Sequence, residues 1–300
     1  MTTVSDATVA AADDFSDLNE LDPPPPAAVV KSRSPLIAYV GPLVTLGLFI
    51  ALWEYMHRSG LRKFFDKPGR LLPSPFTVID KSFVNPQVNV RHQLLAGLGW
   101  TTFAALVGLL ITIVIGVTLA VVMAQANWAE RSIYPYLVAL QAMPVLAIVP
   151  IIYVIFGGGM VSRIYVCVMI SIFPIVTNTL FGLTSAEAGQ HDLFTLRGAS
   201  RLTRLTKLQF PAAMPAIFTG FRISAGLSVI GAVVGEQFFR QGEKPGIGIV
   251  MEQFRQKSRY PELFGGLLIA AALGIVVFVA FGALGRLVVG HWHETTRKAR

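Results

Sequence analysis

The run His92–Ala129, HQLLAGLGWTTFAALVGLLITIVIGVTLAVVMAQANWA, contains no Asp, Glu, Lys or Arg. A hydrocarbon layer of about 30 Å is crossed by roughly 20 apolar residues in helical form, so this run spans a membrane with residues to spare. Trp100–Met123 is the expected span. The residues ahead of it, from His92, are expected to form a lead-in helix along the surface.

Working outward, Leu36–Met56 is a second stretch of spanning length, and Ser132–Ser162 is a third, interrupted by Pro144 and Pro150. Ile164–Ala186, which contains Pro174, and Leu263–Gly285 are also free of charge. Pro215–Phe239 is apolar except for Arg222 and Glu236. Six membrane helices are therefore expected, in an all-α membrane protein. The three internal prolines each remove a backbone donor and kink a helix. They fit packing kinks or a helix broken beside a permeation path.

Composition agrees. Of 300 residues, 53% are hydrophobic and only 14% charged, and mean hydropathy is +0.60. Soluble domains carry roughly 25% charged residues, so an ordinary cytosolic enzyme, a disordered scaffold and a coiled coil are excluded. The formal charge is +8, and Asp6, Asp13, Asp14, Asp17, Glu20 and Asp22 all precede the first base. Residues 1–35, which end near Pro23–Pro26, are expected to be a disordered acidic tail. The remaining bases sit between apolar runs, which suits loops flanking lipid-buried segments and gives no reason to invoke nucleic acid. Lys and Arg counts on the two sides, eleven against thirteen with the N-terminus inside, do not fix the orientation.

No phosphate-cradling GxxxxGK[ST], zinc-binding HExxH or GxSxG elbow is present. His57, His92, His191, His291 and His293 fall near span ends or in the tail, where solvated roles are expected, and Cys167, alone of its kind, lies in an apolar run as a buried thiol. No metal site or cofactor is expected in this chain. Chemistry is sparse. What stands out is Thr184–Phe210, the polar stretch between the fourth and fifth spans. There Arg201, Arg204 and Lys207 recur every three residues, with Leu202, Leu205 and Leu208 offset by one. Such a helix carries adjoining basic and apolar stripes, which suit either lipid headgroups or a docking partner.

This segment resembles the cytoplasmic EAA loop of ATP-binding-cassette importer permeases, whose pattern is Glu-Ala-Ala, three residues, Gly, nine residues, Ile, one residue, Leu-Pro. Asp192, Gly198, Leu208, Phe210 and Pro211 match it without gaps. Leu193 and Phe194 stand where the alanines are usual, and Asp192 where Glu is usual. Glu187, in Ala186-Glu187-Ala188, lies too far upstream. Leu71–Pro75, Met143-Pro144 to Pro150, Phe156–Gly159 through Arg163, and Phe173-Pro174 to Leu180 are similar to one subgroup. Its members import nitrate, taurine, alkanesulfonates and thiamine-pyrimidine precursors. Arg163 stands where Lys is more familiar, a change of little expected consequence.

The resemblance implies a type I importer permease fold in a bacterial inner membrane, with both termini inside. The organisation expected is a first transmembrane helix at 36–57, a connecting loop at 58–93, a core at 94–289 with its coupling loop at 184–211, and a tail at 290–300. The outer loop would then carry seven bases, which nothing in the sequence explains. It further implies two cytoplasmic ATP-binding subunits, a second permease copy in a homodimer, and an extracytoplasmic solute-binding protein. Asp192, Gly198, Arg201, Arg204, Leu205, Lys207 and Pro211 would couple to the ATPase, with Pro211 and Pro215 separating the docking helix from span five. Met143, Pro144, Asn178, Arg222 and Glu236 are candidates for the translocation path of a small polar solute. An ATP-independent carrier or channel is the competing class, but such proteins tend to show internal repeats and none is evident here. A membrane-embedded enzyme is a third, disfavoured by the lack of clustered intramembrane His, Asp or Glu.

Overall fold

The computed structural model describes residues 35–60, 71–87, 89–242 and 244–290. Most of the expected acidic tail, Arg62, Lys63, Lys67 and Arg70 of the first loop, and the end of the C-terminal tail with His291 and His293 lie outside the described residues. Every regular element among the described residues is helical. Five helices are long and apolar enough to cross a membrane, or six if one bent pair counts as a single span.

Helix α1, Pro35–Tyr55, belongs largely to a separate unit that ends at Leu52. Its residues Val40–Leu52 are all exposed, as suits a helix whose solvent is lipid. The second unit begins at Trp53, where the indole Nε1 donates to Pro73 O at 3.0 Å. The loop at 58–93 is not unstructured throughout. Ser74 caps a short helix α2, Pro75–Ile79, by accepting from Thr77 N.

Helix α3, Val90–Gln125, corrects the first expectation. It is one helix of 36 residues, with no separate surface segment before Trp100. Its early residues are buried by protein. Val90 and Leu94 pack against Ile247, Val250 and Phe254 of helix α10, Ile247–Gln256.

The third span is broken. Helices α4, Asn127–Ala142, and α5, Val145–Phe156, meet at 103° across Met143-Pro144. Pro144 has no N–H to continue the ladder and keeps an extended ψ of 115°, whereas Pro150 sits inside α5. Pro174 likewise lies inside a continuous helix, α6, Met160–Leu183.

After α7, Ala188–Leu196, and the short α8, Arg201–Arg204, a π-helical turn at Leu205–Gln209 leads into α9, Phe210–Phe238. Arg201–Phe238 is thus one helical run of 38 residues. This corrects the expectation that Pro211 and Pro215 separate docking helix from span. In the π turn Phe210 N–H reaches back five residues to Leu205 O, and this wider turn takes up the misfit of a proline ring that follows immediately. Helix α11, Tyr260–Val289, closes the bundle.

Lipid tails are as apolar as leucine, so helices here associate by close packing and interhelical hydrogen bonds. Gly231 of α9 shows the closeness: a Cβ there would lie 2.8 Å from Cys167 Cα of α6. The thiol is fully buried. Hydroxyls link the helices, with Thr112 and Ser171 at 3.0 Å, Ser224 Oγ donating to Ser171 O at 2.7 Å, and Ser228 Oγ to Ala105 O at 2.6 Å.

Candidate functional site: the exposed loop and the buried charges

Helix α7 ends in a left-handed elbow. Gly198 has φ +63°, Gly198 N–H donates to Thr195 O at 2.9 Å, and Ala199 N–H to Phe194 O at 3.0 Å. These are the two bonds of a Schellman cap, whose left-handed position favours glycine. Ser200 then starts the next helix, its Oγ accepting from Thr203 N at 3.2 Å. A reversal of four residues, 197–200, therefore joins α7 to the long α8–α9 run.

Of the two stripes read in the sequence, Arg201, Lys207 and Leu202 are exposed, while Arg204, Leu205 and Leu208 are half-buried. Asp192, Arg197, Arg201 and Lys207 are exposed. Leu193, Leu196 and Leu202 are also bare, at 55%, 86% and 69%, far more apolar surface than a purely solvated helix shows. Arg204 Nη2 donates to Thr195 Oγ1 at 3.1 Å, across the elbow. Leu205 instead packs inward on Leu183, Ala213 and Ile217. Gln209, buried, accepts from Gln125 Nε2 at 2.9 Å and so ties the π turn to the end of α3. The Asp192 carboxylate makes no hydrogen bond or ion pair with the described residues, and Pro211 is exposed on the first turn of α9.

The path candidates scatter. Met143 and Pro144 are exposed at the break between α4 and α5. Asn178, half-buried, donates Nδ2 to Pro174 O of its own helix at 2.8 Å. Arg222 is exposed on α9, its guanidinium 4.1 Å from the Phe278 ring centre. Glu236 is sealed at 0% exposure. Its carboxylate accepts from Thr101 Oγ1 at 2.9 and 3.0 Å and from Gly248 N at 2.8 Å, at the start of α10. The structure does not bring these five together.

Arg163, expected to differ little in effect from the more familiar Lys, is 1% exposed and fully engaged. Its Nε donates to Phe239 O at 2.8 Å, Nη1 to Lys244 O at 2.8 Å and Nη2 to Gln241 O at 3.2 Å. One guanidinium thus holds the turn after α9 by three carbonyls, which the point charge of a lysine cannot reach together. The sequence signal was its position, a charge at the start of an apolar helix.

Helix α10 was also missed, though Ile247, Val250, Met251 and Phe254 follow helical spacing. On its other face Glu252 accepts from Arg255 Nε and Nη2, each at 2.6 Å, and from Gln256 Nε2 at 3.0 Å, with Arg240 3.5 Å away. The Arg255 hydrogen bonds foremost pull this carboxyl down to about 2. Among the described residues no group of three or more His, Cys, Asp or Glu is placed to hold a metal ion.

A set of five or six apolar helices long enough to span a bilayer, with a loop after α6 that bares leucines beside arginines, defines a membrane-embedded protein. The chain belongs to the family of binding-protein-dependent transport system inner membrane components, which matches residues 112–292. It is 33% identical over 243 residues to the formylaminopyrimidine transport permease protein of Halalkalibacterium halodurans, covering 81% of this chain and 92% of that one. It is 32% identical over 251 residues to a riboflavin transport system permease protein of Chloroflexus aurantiacus, covering 82% and 88%. Against a nitrate import permease protein of Synechocystis the figures are 29% over 257 residues, 81% and 87%. The chain is a multi-pass inner-membrane permease subunit of an ABC importer, a transport subunit and not an enzyme. Its system includes ATP-binding and solute-binding components.

Proposed function

We propose that this chain, paired with a second copy, forms the translocation path of an ATP-driven importer for a small polar solute released by an extracytoplasmic binding protein. Thr184–Pro211 is the handle, held by one of two cytoplasmic ATP-binding subunits. The observation that supports this most is the unbroken helical run Arg201–Phe238. A docking helix continuous with a membrane span moves with it as a lever, so closure of the ATPase pair on nucleotide shifts the span directly. ATP and solute drive the cycle only because they favour different states of the bundle.

Leu193, Leu196 and Leu202 supply the apolar contact, and Arg197, Arg201 and Lys207 the charges around it. Asp192 in place of Glu keeps a carboxylate on a shorter arm. The named relatives move a formylaminopyrimidine, riboflavin and nitrate. Such diversity on one permease scaffold supports assigning solute choice to the binding protein.

The test is co-purification of the full chain with its ATP-binding subunit and measurement of binding-protein-stimulated ATPase and uptake. Gly198→Val is expected to insert normally, to lose most of the associated ATPase and to abolish uptake. Uptake at the wild-type rate in that variant, or uptake without the ATP-binding subunit, would overturn the reading.

A further inference from the structure

Between the loop-proximal end of α9 and the C-terminal end of α11 lies an open groove of about 450 Å³, with Thr219, Arg222, Phe281, Gly282, Gly285 and Arg286 in its walls. Among the described residues no carboxylate lines it. Arg222 and Arg286 are both exposed, and neither guanidinium makes a hydrogen bond or ion pair with the described residues. Arg222 is nevertheless placed: its guanidinium lies over Phe278, and the bare Cα of Gly282 leaves the space, since a Cβ there would come within 3.2 Å of Arg222 Nε. Ring contact uses the face of a guanidinium and leaves its N–H edge unspent.

We propose that this groove binds an anionic phospholipid from the leaflet on the coupling-loop side, its phosphate held between Arg222 and Arg286. Naming that leaflet as the cytoplasmic one rests on the function proposed above. Unpaired guanidiniums beside an acyl phase are costly, and a phosphodiester offers two oxygens that match the fork geometry of arginine. Gly282 and Arg286 are four residues apart on α11, about 6 Å along the axis, so the two charges sit at neighbouring depths near the end of that helix. Phe218, which packs against Gly285, and Phe281 make the walls apolar, which suits the glycerol and first methylenes of a lipid rather than a free ion. Basic pockets between spans on the cytoplasmic side are where acidic headgroups are recognised.

The experiment uses the full chain with its ATP-binding subunit in nanodiscs of equal phosphatidylcholine and phosphatidylglycerol, extracted into mild detergent and weighed by native mass spectrometry. Wild type is expected to retain phosphatidylglycerol in preference to phosphatidylcholine. Arg222→Gln with Arg286→Gln is expected to lower that retention roughly tenfold, as loss of charge-assisted hydrogen bonds implies. Thr219→Trp, which fills the groove and keeps both charges, should do the same. Both variants are scored only as preparations that still carry the ATP-binding subunit, so loss of coupling and loss of lipid are read separately. Equal retention in all three proteins would overturn the proposal. So would displacement of the lipid by millimolar inorganic phosphate, which indicates a free-anion site, or efficient disulfide pairing of Thr219→Cys between two copies, which puts a second chain there.

Discussion

Thr101 of α3 and Glu236 of α9, 135 residues apart in sequence, share a hydrogen bond in the sealed interior. The same hydroxyl accepts from Ile247 N at 2.8 Å, while the carboxylate takes Gly248 N at 2.8 Å. Two side chains from two spans therefore cap the first free N–H groups of α10, which has no cap of its own. An anionic group at a helix N-terminus also meets the favourable end of its dipole. Gly246 completes the arrangement, because a Cβ there would overlap Glu236 Oε1.

Thr101→Val keeps the shape and removes these bonds. Leaving a buried carboxylate and an amide short of partners costs about 1–3 kcal/mol, so the thermal midpoint in detergent is expected to fall by several degrees. Gly246→Ala should be worse, since it drives the carboxylate out of place. Combining it with Glu236→Ala should cost far less than the sum of the single changes. Additive losses would mean that Gly246 and Glu236 do not oppose each other.

Arg163→Lys preserves charge and fold class and tests the three-carbonyl grip. The expected cost is again about 1–3 kcal/mol, with faster hydrogen exchange confined to residues 239–244. Unchanged exchange in that turn would show that one ammonium suffices.

Glu252 gives an acid-side expectation. Its carboxyl is held at about 2 against an ordinary 4.5, first by the Arg255 hydrogen bonds. A lowered carboxylate stabilises the fold above its unfolded value, and that contribution fades as pH falls from about 4.5 through about 2. Arg255 is exposed, so water and salt screen the pair and the effect is small. Glu252→Gln should lower the thermal midpoint slightly at pH 7 in low salt. It should have no effect at high salt or near pH 2.

The spans were legible because length and absence of charge are local properties, and so were Gly198 and Pro211, whose spacing is a local pattern. What the sequence hid was relational. Nothing near Glu236 announces Thr101, and nothing near Arg163 announces the carbonyls it holds 76 to 81 residues later. The surplus of residues before Trp100 looked like a surface helix because the α10 face that buries it comes about 150 residues on. Proline rules misled at Pro211, since a single wide turn lets a helix pass through it.

Gly198 is a conformational requirement and not a packing one. A Cβ there meets nothing within 4 Å, yet φ is +63°. Substitutions should therefore rank by their tolerance of the left-handed region: Asn mildest, Ala next, Val worst, with penalties of about 1–2 kcal/mol for ordinary residues. Association with the ATP-binding subunit should fall in the same order while the amount inserted in the membrane stays level. A ranking by side-chain volume alone, with Asn worse than Ala, would point to a contact at the elbow instead.

Continuity of Arg201–Phe238 separates a lever from a flexible tether. Pro211→Ala restores a backbone donor inside a helix that already passes this point, so uptake should remain near wild type. Thr206→Gly with Leu208→Gly softens the π turn ahead of it, at about 1 kcal/mol per glycine, without touching the exposed leucines or bases of the loop. The ATP-binding subunit should still bind that double variant, and ATP should still be hydrolysed, but solute uptake per ATP should drop severalfold. If the glycine pair transports as well as wild type, the helix from loop to span is not what carries the motion.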